Sequence, residues 1–255
     1  MICAIMQPTY LPWLGYFSMI DQVDTFVFLD DVQLTKRSWQ VRNKIKDSNG
    51  ELMLTVPIKK KRTREDTYIN NAEPNDDISW RIQHIKSIMH CYQKTKFYDL
   101  VLPFFTEKIL GYKGNLADFN IYIIVNICKE IGINTNMKKS SEIDNKYGDK
   151  DLLLASICKS IGSKAYLSPK GSACYIEAKN PGGKIESNDI KLYYHSYEHP
   201  IYDQNKGRFI PYLSILDLLF NIGFENALEV IRSGNRRNQP CMEYQNTIIE
   251  SRELL

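Results

Sequence analysis

The sequence predicts an α/β protein with a Rossmann-like, mainly parallel sheet flanked by helices, and a helical middle segment. Apolar runs too short for helices occur at 2–6, 25–29 and 165–168, and longer stretches with helical periodicity separate them. The first two runs end in polar turns, as strands do at the carboxyl edge of a parallel sheet. The stretch 76–137 shows helical periodicity alone. These three observations favour a doubly covered sheet over an all-β or all-α fold.

Length and composition predict one folded domain. A chain of 255 residues can bury a full core, and its 43% apolar and 25% charged residues are typical of globular proteins. We expect a single domain spanning 1–255, with an α/β part at 1–75, a helical part at 76–137 and a second α/β part at 138–255. The net charge of +3 argues against broad, non-specific binding of nucleic acid.

The cysteines and the apolar runs exclude several other classes. Six cysteines are scattered without a CxxC pair, which argues against a zinc ribbon. No apolar run approaches the roughly 20 residues that a membrane-spanning helix needs. The first residues lack the basic start of a secretory signal and resemble a buried strand instead. We therefore expect a cytoplasmic protein without a membrane span and with reduced cysteines.

The first two strands predict where a ligand binds. Ile2 to Met6 forms a strand that must leave the sheet at Gln7-Pro8, because proline cannot pair inside a sheet. A short helix from Leu14 to Ile20 then returns the chain to a second strand, Thr25 to Leu29. Ligands of open α/β sheets gather at the carboxyl ends of strands. The polar residues that follow these two strands should therefore surround one crevice: Gln7, Tyr10, Asp30 and Asp31.

The rest of the chain continues the alternation. Glu51 to Ile58 follows the turn Ser48-Asn49-Gly50 and predicts a third strand that continues the sheet. The helices that we expect next are 80–92, 100–109 and 115–131, the last of them capped by Gly132. The second α/β part should contain helices at 151–161 and 212–220 and strands at 165–168 and 190–195.

Three cations and a tryptophan suggest an anionic ligand. Lys36, Arg37 and Arg42 lie within seven residues, and an arginine fork matches the oxygens of a phosphate or carboxylate. Trp39 between them could stack on a base or a sugar, although tryptophan is more often a core residue. The alternative for the cations is a solvated surface. The basic run Lys59 to Arg64 favours a solvated loop, with binding of a charged tRNA as the alternative.

The candidate catalytic residues are His84, Asp30 and Asp31. His84 lies on the apolar face of its helix, where histidine is more often a satisfied core residue than a base. Adjacent carboxylates on a strand point to opposite faces, so Asp30 is preferred at the inner position. Either Asp could bind Mg²⁺, orient a hydroxyl or hold an amine, or it could cap the turn. Asp217, inside an apolar helix, suggests a structural anchor or a functional group.

One stretch of the sequence resembles a known family. The WbqC-like family opens with a signature that is similar to Gln7-Pro-x-Tyr10-Leu-Pro-Trp13-x-Gly15-Tyr16-Phe17, Phe-Leu-Asp30-Asp31-Val-Gln33 and Lys36-Arg37-x-Trp39-x-x-Arg42-Asn43. The likeness continues through Trp80 and His84 to Ser214-Ile-Leu-Asp217. Many relatives carry His where this chain has Met6, which excludes a histidine base at that position here. We expect the ligand-binding residues to lie in this same segment: Gln7, Tyr10, Trp13, Gly15, Gln33, Lys36, Arg37, Trp39, Arg42 and Asn43.

The resemblance implies a role in surface-polysaccharide synthesis, such as that of O-antigen, lipopolysaccharide or capsule. It suggests a transferase that places a glycyl or other acyl group on the amine of a nucleotide-linked sugar. The donor stays open among acyl carrier protein, coenzyme A, aminoacyl-tRNA and a free amino acid with ATP, and no cofactor is assigned. The alternatives are a non-catalytic module that binds a sugar nucleotide or a carrier, and an ATP-dependent amide ligase. The HxGH motif of nucleotidyl-transferase-like synthetases is absent, so ATP activation has no motif behind it.

Overall fold

The fold is built on a six-stranded sheet. The computed structural model describes residues 1–35, 37–60, 67–178, 180–205 and 207–243, so Lys36 and residues 61–64 of the basic run Lys59 to Arg64 lie outside the described residues. The strands of this part of the chain are β1 Ile2–Met6, β2 Thr25–Phe28, β3 Arg42–Asp47, β4 Gly50–Thr55, β5 Asn136–Lys139, β6 Ala165–Pro169, β7 Lys191–His195 and β8 Gln239–Pro240. The helices are α1 Leu14–Asp21, α2 Trp80–Tyr92, α3 Tyr98–Gly111, α4 Leu116–Ile131, α5 Lys150–Ser160, α6 Ala173–Ile176, α7 Gly183–Glu186, α8 Ile215–Ile222 and α9 Phe224–Ser233.

The order of the strands confirms the predicted fold class. It runs β5-β2-β1-β6-β7-β8, and every pair is parallel except β7 with β8. The chain moves outwards from β1 to β5 on one side and from β6 to β8 on the other. The order therefore reverses between β1 and β6. In open α/β sheets such a reversal leaves a crevice at the carboxyl ends of the two strands.

Helices cover both faces of the sheet. Side chains of β1 alternate between the two layers, because successive residues of a strand point to opposite faces. Ala4 packs into the larger core, which contains residues of α1, α2, α3, α4, α8 and α9. Cys3 and Ile5 pack into the smaller core with α5, α6 and α7. Within the described residues no helix is both long enough and apolar enough to cross a membrane.

The β3–β4 hairpin is where the structure departs from the expected sheet. The predicted strand at 51–58 exists as β4, but it pairs only with β3 in a separate two-stranded sheet. The tight turn explains this outcome, since Asp47 pairs directly with Gly50, whose φ is +126°. A chain that reverses so sharply pairs with its own preceding segment before it can reach the central strands.

One helix boundary differs from the prediction, and several elements were not predicted, namely β3, β5, β8, α6, α7 and α9. Strand β5 is a short, polar sheet edge, Asn-Met-Lys-Lys, and carries no apolar run. Helix α9 follows α8 after the single residue Gly223, so the two helices were not separated in the sequence. Helix α8 begins at Ile215 rather than at Tyr212, because Tyr212 has a φ of +60° and the Ser214 hydroxyl caps the helix by accepting from the Leu216 N–H.

Asp217 joins three parts of the larger core. Its fully buried carboxylate accepts hydrogen bonds from Tyr92 of α2 at 3.2 Å and from Tyr202 at 2.8 Å. Nearby, Lys46 of β3 donates to Gln204 Oε1 at 3.0 Å and also to a backbone carbonyl of the same loop. Burial raises the pKa of Asp217 to about 6, and the two tyrosines and Lys46 oppose that rise. These contacts fit the first of the two alternatives for Asp217, a structural anchor between elements of the core.

Titration of Asp217 should make stability depend on pH. Because the pKa of its folded state lies above its usual value of 3.8, the protonated form favours folding, and this contribution is lost as pH rises through about 6. The Asp217→Asn variant has no carboxyl group at this position and therefore lacks this pH dependence. Urea unfolding should show the wild type losing about 2 kcal/mol relative to the variant between about pH 4.5 and about pH 7.5. Parallel pH profiles for the two proteins would contradict the raised pKa.

Candidate functional site

The loop that leaves β1, residues 7–13, is buried and needs internal hydrogen-bond partners. Two buried asparagines supply them. Asn43 of β3 donates to the carbonyls of Tyr10 at 3.2 Å and Leu11 at 2.7 Å. Asn120 of α4 donates to the carbonyl of Pro8 at 3.1 Å and to that of Gln40 at 2.8 Å. The loop is thus fixed to both the hairpin and the helical part, although its own sequence forms no helix or strand.

Three of the six described residues other than glycine with a positive φ lie in or near this loop, and the others are Asn145, Lys150 and Asp189. Leu11, a buried aliphatic residue, has a φ of +46°, and Arg37 and Tyr212 have φ values of +53° and +60°. The left-handed region is uncommon for residues with a side chain, and it costs on the order of 1–3 kcal/mol that the surrounding contacts must offset. Such strain is most often found where a site requires a particular backbone path.

A cavity of about 230 Å³ opens between this loop, the start of β3 and the segment before α8. The three segments are joined by backbone hydrogen bonds: Ile215 N–H donates to the Pro12 carbonyl at 2.8 Å, and Ser214 N–H donates to the Lys44 carbonyl at 2.8 Å. The cavity lies at the carboxyl end of β1, the strand next to the reversal of strand order. Its lining residues are Met6, Thr9, Pro12, Trp13, Tyr16, Trp39, Asn43 and Tyr212.

Trp13 forms the inner wall of the cavity, and Gly15 makes room for it. A Cβ atom at Gly15 would lie 2.2–2.6 Å from three carbon atoms of the Trp13 indole, so the ring can lie over α1 only because this residue has no side chain. Tyr212 packs edge-on against Trp13, with ring centroids 5.4 Å apart. The sequence singled out Gly15 as a ligand contact, and in the structure it adjoins the cavity through Trp13.

The interior of the cavity offers few free hydrogen-bonding groups. The Asn43 side chain is committed to the loop carbonyls, and the Tyr16 hydroxyl donates to the Gln7 carbonyl at 3.1 Å. Two buried polar groups without partners belong to residues that neighbour Trp39. Arg42 stands over the half-exposed Trp39 at 5.9 Å, and its Nε is buried without a hydrogen-bond partner among the described residues. The Ser38 hydroxyl is in the same situation.

His84 and Tyr10 lie together in the core. The Tyr10 hydroxyl is 3.0 Å from His84 Nδ1, and the histidine ring also hydrogen-bonds the backbone of Thr55. Burial lowers the pKa of His84 to about 4 and raises that of Tyr10, so both side chains are neutral near pH 7. Tyr10 is fully buried and neither residue lines the cavity. In this geometry His84 already has two hydrogen-bond partners.

Asp30 and Asp31 join the ends of β2 and β5. The buried Asp30 carboxylate accepts from Ser140 Oγ at 3.0 Å, from the Ser141 N–H at 2.9 Å and from Ser141 Oγ at 2.6 Å. Asp31 also accepts from Ser140 and pairs with Lys146 at 2.6 Å. Both carboxylates reach the same serine because β2 ends at Phe28, so the strand alternation no longer separates them. They are apart from the lining of the cavity.

The other residues that were predicted to bind a ligand lie in different surroundings. Gln7 is half-buried and accepts a short hydrogen bond from Gln40 beside the loop. Gln33 is exposed and pairs with Tyr68 in an isolated bridge, and Arg37 is exposed. Lys36 lies outside the described residues. The structure therefore brings Trp13, Gly15, Trp39, Arg42 and Asn43 together and leaves the carboxylates and His84 elsewhere.

Sequence reasoning missed the aromatic cluster that supports Trp13. His199 stacks on the indole at 6.3 Å and Tyr197 meets it edge-on at 5.6 Å. Tyr212 completes the cavity wall from just before α8. The only signal in the sequence was the density of aromatic and histidine residues at 193–212 without a regular period. No three His, Cys, Asp or Glu side chains of the described residues are grouped as a metal site would require.

Comparisons with known proteins agree on one family. The model of the WbqC-like protein family matches residues 7–229. Among curated proteins, the chain is similar to the uncharacterized protein Rv1507c of Mycobacterium tuberculosis (strain ATCC 25618 / H37Rv). The two are 32% identical over 232 residues, which cover 87% of this chain and 94% of that protein. No solved structure matches the chain significantly.

Adding one methyl group at Gly15 should displace the Trp13 ring. We expect Gly15→Ala to lower the free energy of unfolding by about 1–3 kcal/mol, because overpacking outweighs the better helix propensity of alanine. The measurement is urea unfolding followed by tryptophan fluorescence. Gly111→Ala is the matched control, since a Cβ there meets no atom within 4 Å. Equal stability of the two variants would show that Trp13 does not depend on Gly15.

Proposed function

This chain belongs to the WbqC-like protein family, and from its cavity we propose that it is a transferase acting on a nucleotide-linked amino sugar. The reaction places a glycyl or other acyl group on the sugar amine, for the synthesis of a surface polysaccharide such as O-antigen or capsule. The acyl transfer and the surface polysaccharide come from the family resemblance. The binding of a nucleotide-linked ligand rests on the residues around the loop 7–13.

The observation that carries the proposal is an aromatic cavity with an unpaired arginine at its outer side. Trp13, Trp39 and Tyr212 present ring faces and edges, which bind the faces of a base or a sugar. A volume of about 230 Å³ holds one ring system but not a whole sugar nucleotide. The rest of the ligand would extend past Trp39, where the Arg42 guanidinium, which stands over the Trp39 ring, can bind phosphate oxygens.

The position in the fold supports the same class of ligand. The cavity lies at the carboxyl end of β1, beside the reversal between β1 and β6 where doubly wound sheets bind nucleotides. Tyr212, one of its lining residues, has a strained φ of +60°. Fold position alone is an analogy, and the orphaned polar atoms make the argument specific to this chain.

A non-catalytic binding module is the second candidate. It is favoured by the buried hydrogen bonds of His84 and Asp30, which occupy two of the residues that the sequence offered for catalysis. The third of those residues, Asp31, is paired with Lys146. In that case the same cavity would hold a sugar nucleotide without changing it.

Trp39 should separate binding from folding, because its side chain is 50% exposed. We expect Trp39→Ala to weaken the binding of a nucleotide-linked amino sugar by about tenfold or more, since one stacking contact contributes about 1–3 kcal/mol. The melting temperature should change little. Isothermal titration calorimetry and thermal unfolding provide the two measurements. Tyr147→Ala is the control, because Tyr147 is 56% exposed and lies outside the cavity.

Mass spectrometry of the sugar nucleotide tests whether the protein transfers an acyl group. Purified protein is mixed with UDP-linked amino sugars and, in separate reactions, with each of the four donor classes named above. A sugar nucleotide heavier by one acyl group supports the transferase, and binding without any change in mass supports the module. Absence of both binding and transfer would overturn the proposed function.

A further inference from the structure

The protein has four histidines, and their surroundings differ sharply. His84 is bonded to Tyr10 and to the backbone of Thr55. His195 Nε2 lies 2.9 Å from the Ser18 hydroxyl and 3.2 Å from the Gln22 amide nitrogen. His90 is exposed on α2, outside the cavity. The remaining one, His199, is the histidine whose buried Nε2 atom has no hydrogen-bond partner within the described chain.

The tautomer of His199 follows from its other nitrogen. Nδ1 is 2.9 Å from the carbonyl oxygen of Pro200, and a carbonyl can only accept. Nδ1 therefore carries the hydrogen, and Nε2 of the neutral ring carries the lone pair. Burial lowers the pKa of His199 from its usual value, which keeps the ring neutral near pH 7. A buried lone pair without a donor costs free energy, so it calls for an explanation.

His199 is coupled to the cavity by two of the residues that line it. Its ring stacks on Trp13 and meets Tyr212 edge-on, with centroids 5.1 Å apart. A second orphaned group, the Tyr197 hydroxyl, belongs to another ring that packs on Trp13. Two unsatisfied polar atoms therefore belong to rings packed against the same wall. His199 does not line the cavity itself, and the Tyr212 ring, 58% exposed, is the neighbour freest to move aside.

We infer that His199 Nε2 accepts the proton that the sugar amine loses when it is acylated, with Tyr212 moving aside to admit it. This inference rests on the proposed function. The amine nitrogen attacks the carbonyl carbon of an acyl thioester or aminoacyl ester, and the C–N bond forms. His199 Nε2 takes one N–H proton, the bond from carbon to the sulfur or oxygen of the leaving group breaks, and the same proton passes to that atom. The products are the amide and the free thiol or alcohol.

The test uses a variant that keeps the ring packing and removes the lone pair. His199→Phe retains a flat ring against Trp13 and Tyr212 but has no nitrogen. With the donor and the UDP-linked amino sugar that the wild type uses, we expect its transfer rate to fall about 100-fold or more, since general base catalysis contributes about 10²–10⁴. Affinity for the sugar nucleotide, measured by calorimetry, should stay near the wild-type value. His90→Phe is the matched control and should keep full activity.

A second variant covers the case in which His199→Phe does not fold. His199→Ala leaves room for a small molecule, and added imidazole should restore transfer in that variant without stimulating the wild type. A merely structural histidine would not give this rescue.

The outcomes separate the two proposals. A wild type that transfers, together with a His199→Phe protein of similar rate, overturns the role of His199 and leaves the transferase standing. The same holds if imidazole fails to rescue His199→Ala. A wild type that does not transfer an acyl group, whether or not it binds the sugar nucleotide, overturns the transferase and this inference with it.

Discussion

The burial of the loop 7–13 is the constraint on which the arrangement depends. Pro8, Tyr10 and Leu11 are buried, so their carbonyls cannot be hydrated and must be satisfied inside the protein. The two amides that do this belong to β3 and α4, elements far from the loop in sequence. The exit loop therefore links the hairpin and the helical part to the end of β1, in addition to the packing of the helices on the sheet. The cavity lies between this loop, the start of β3 and the segment before α8.

Buried polar atoms without a hydrogen-bond partner lower the stability of the folded protein. Among the described residues, seven buried side-chain atoms lack a partner, and six of them belong to Ser38, Gln40, Arg42, Asn120, Tyr197 and His199. Such a group costs about 1–3 kcal/mol when it is left unpaired. Elsewhere the buried groups form closed networks, as Asp217 does with Tyr92 and Tyr202. Four of these groups lie next to residues that line the cavity, since Ser38 and Arg42 flank Trp39 and the rings of Tyr197 and His199 pack on Trp13.

Local sequence predicted the central strands and the long helices, because apolar runs and helical periods determine them within a few residues. It located Trp13, Trp39 and Arg42, since all three belong to one dense segment. It could not find Tyr212 or His199, which reach Trp13 only through tertiary packing. Nor could it show that Asp30 has its donors at Ser140 and Ser141. Those partners follow β5, a polar edge strand without a hydrophobic pattern.

The three walls of the cavity come from opposite ends of the chain, since Trp13 and Trp39 are near its start and Tyr212 is near its end. During translation the first two leave the ribosome long before the third. An incomplete chain would expose the two tryptophans and the carbonyls of the exit loop without the segment that closes them. Ligand binding at this place therefore requires a chain that has been synthesised past Tyr212, and an exposed Trp13 would mark a chain that has not reached that point or is misfolded.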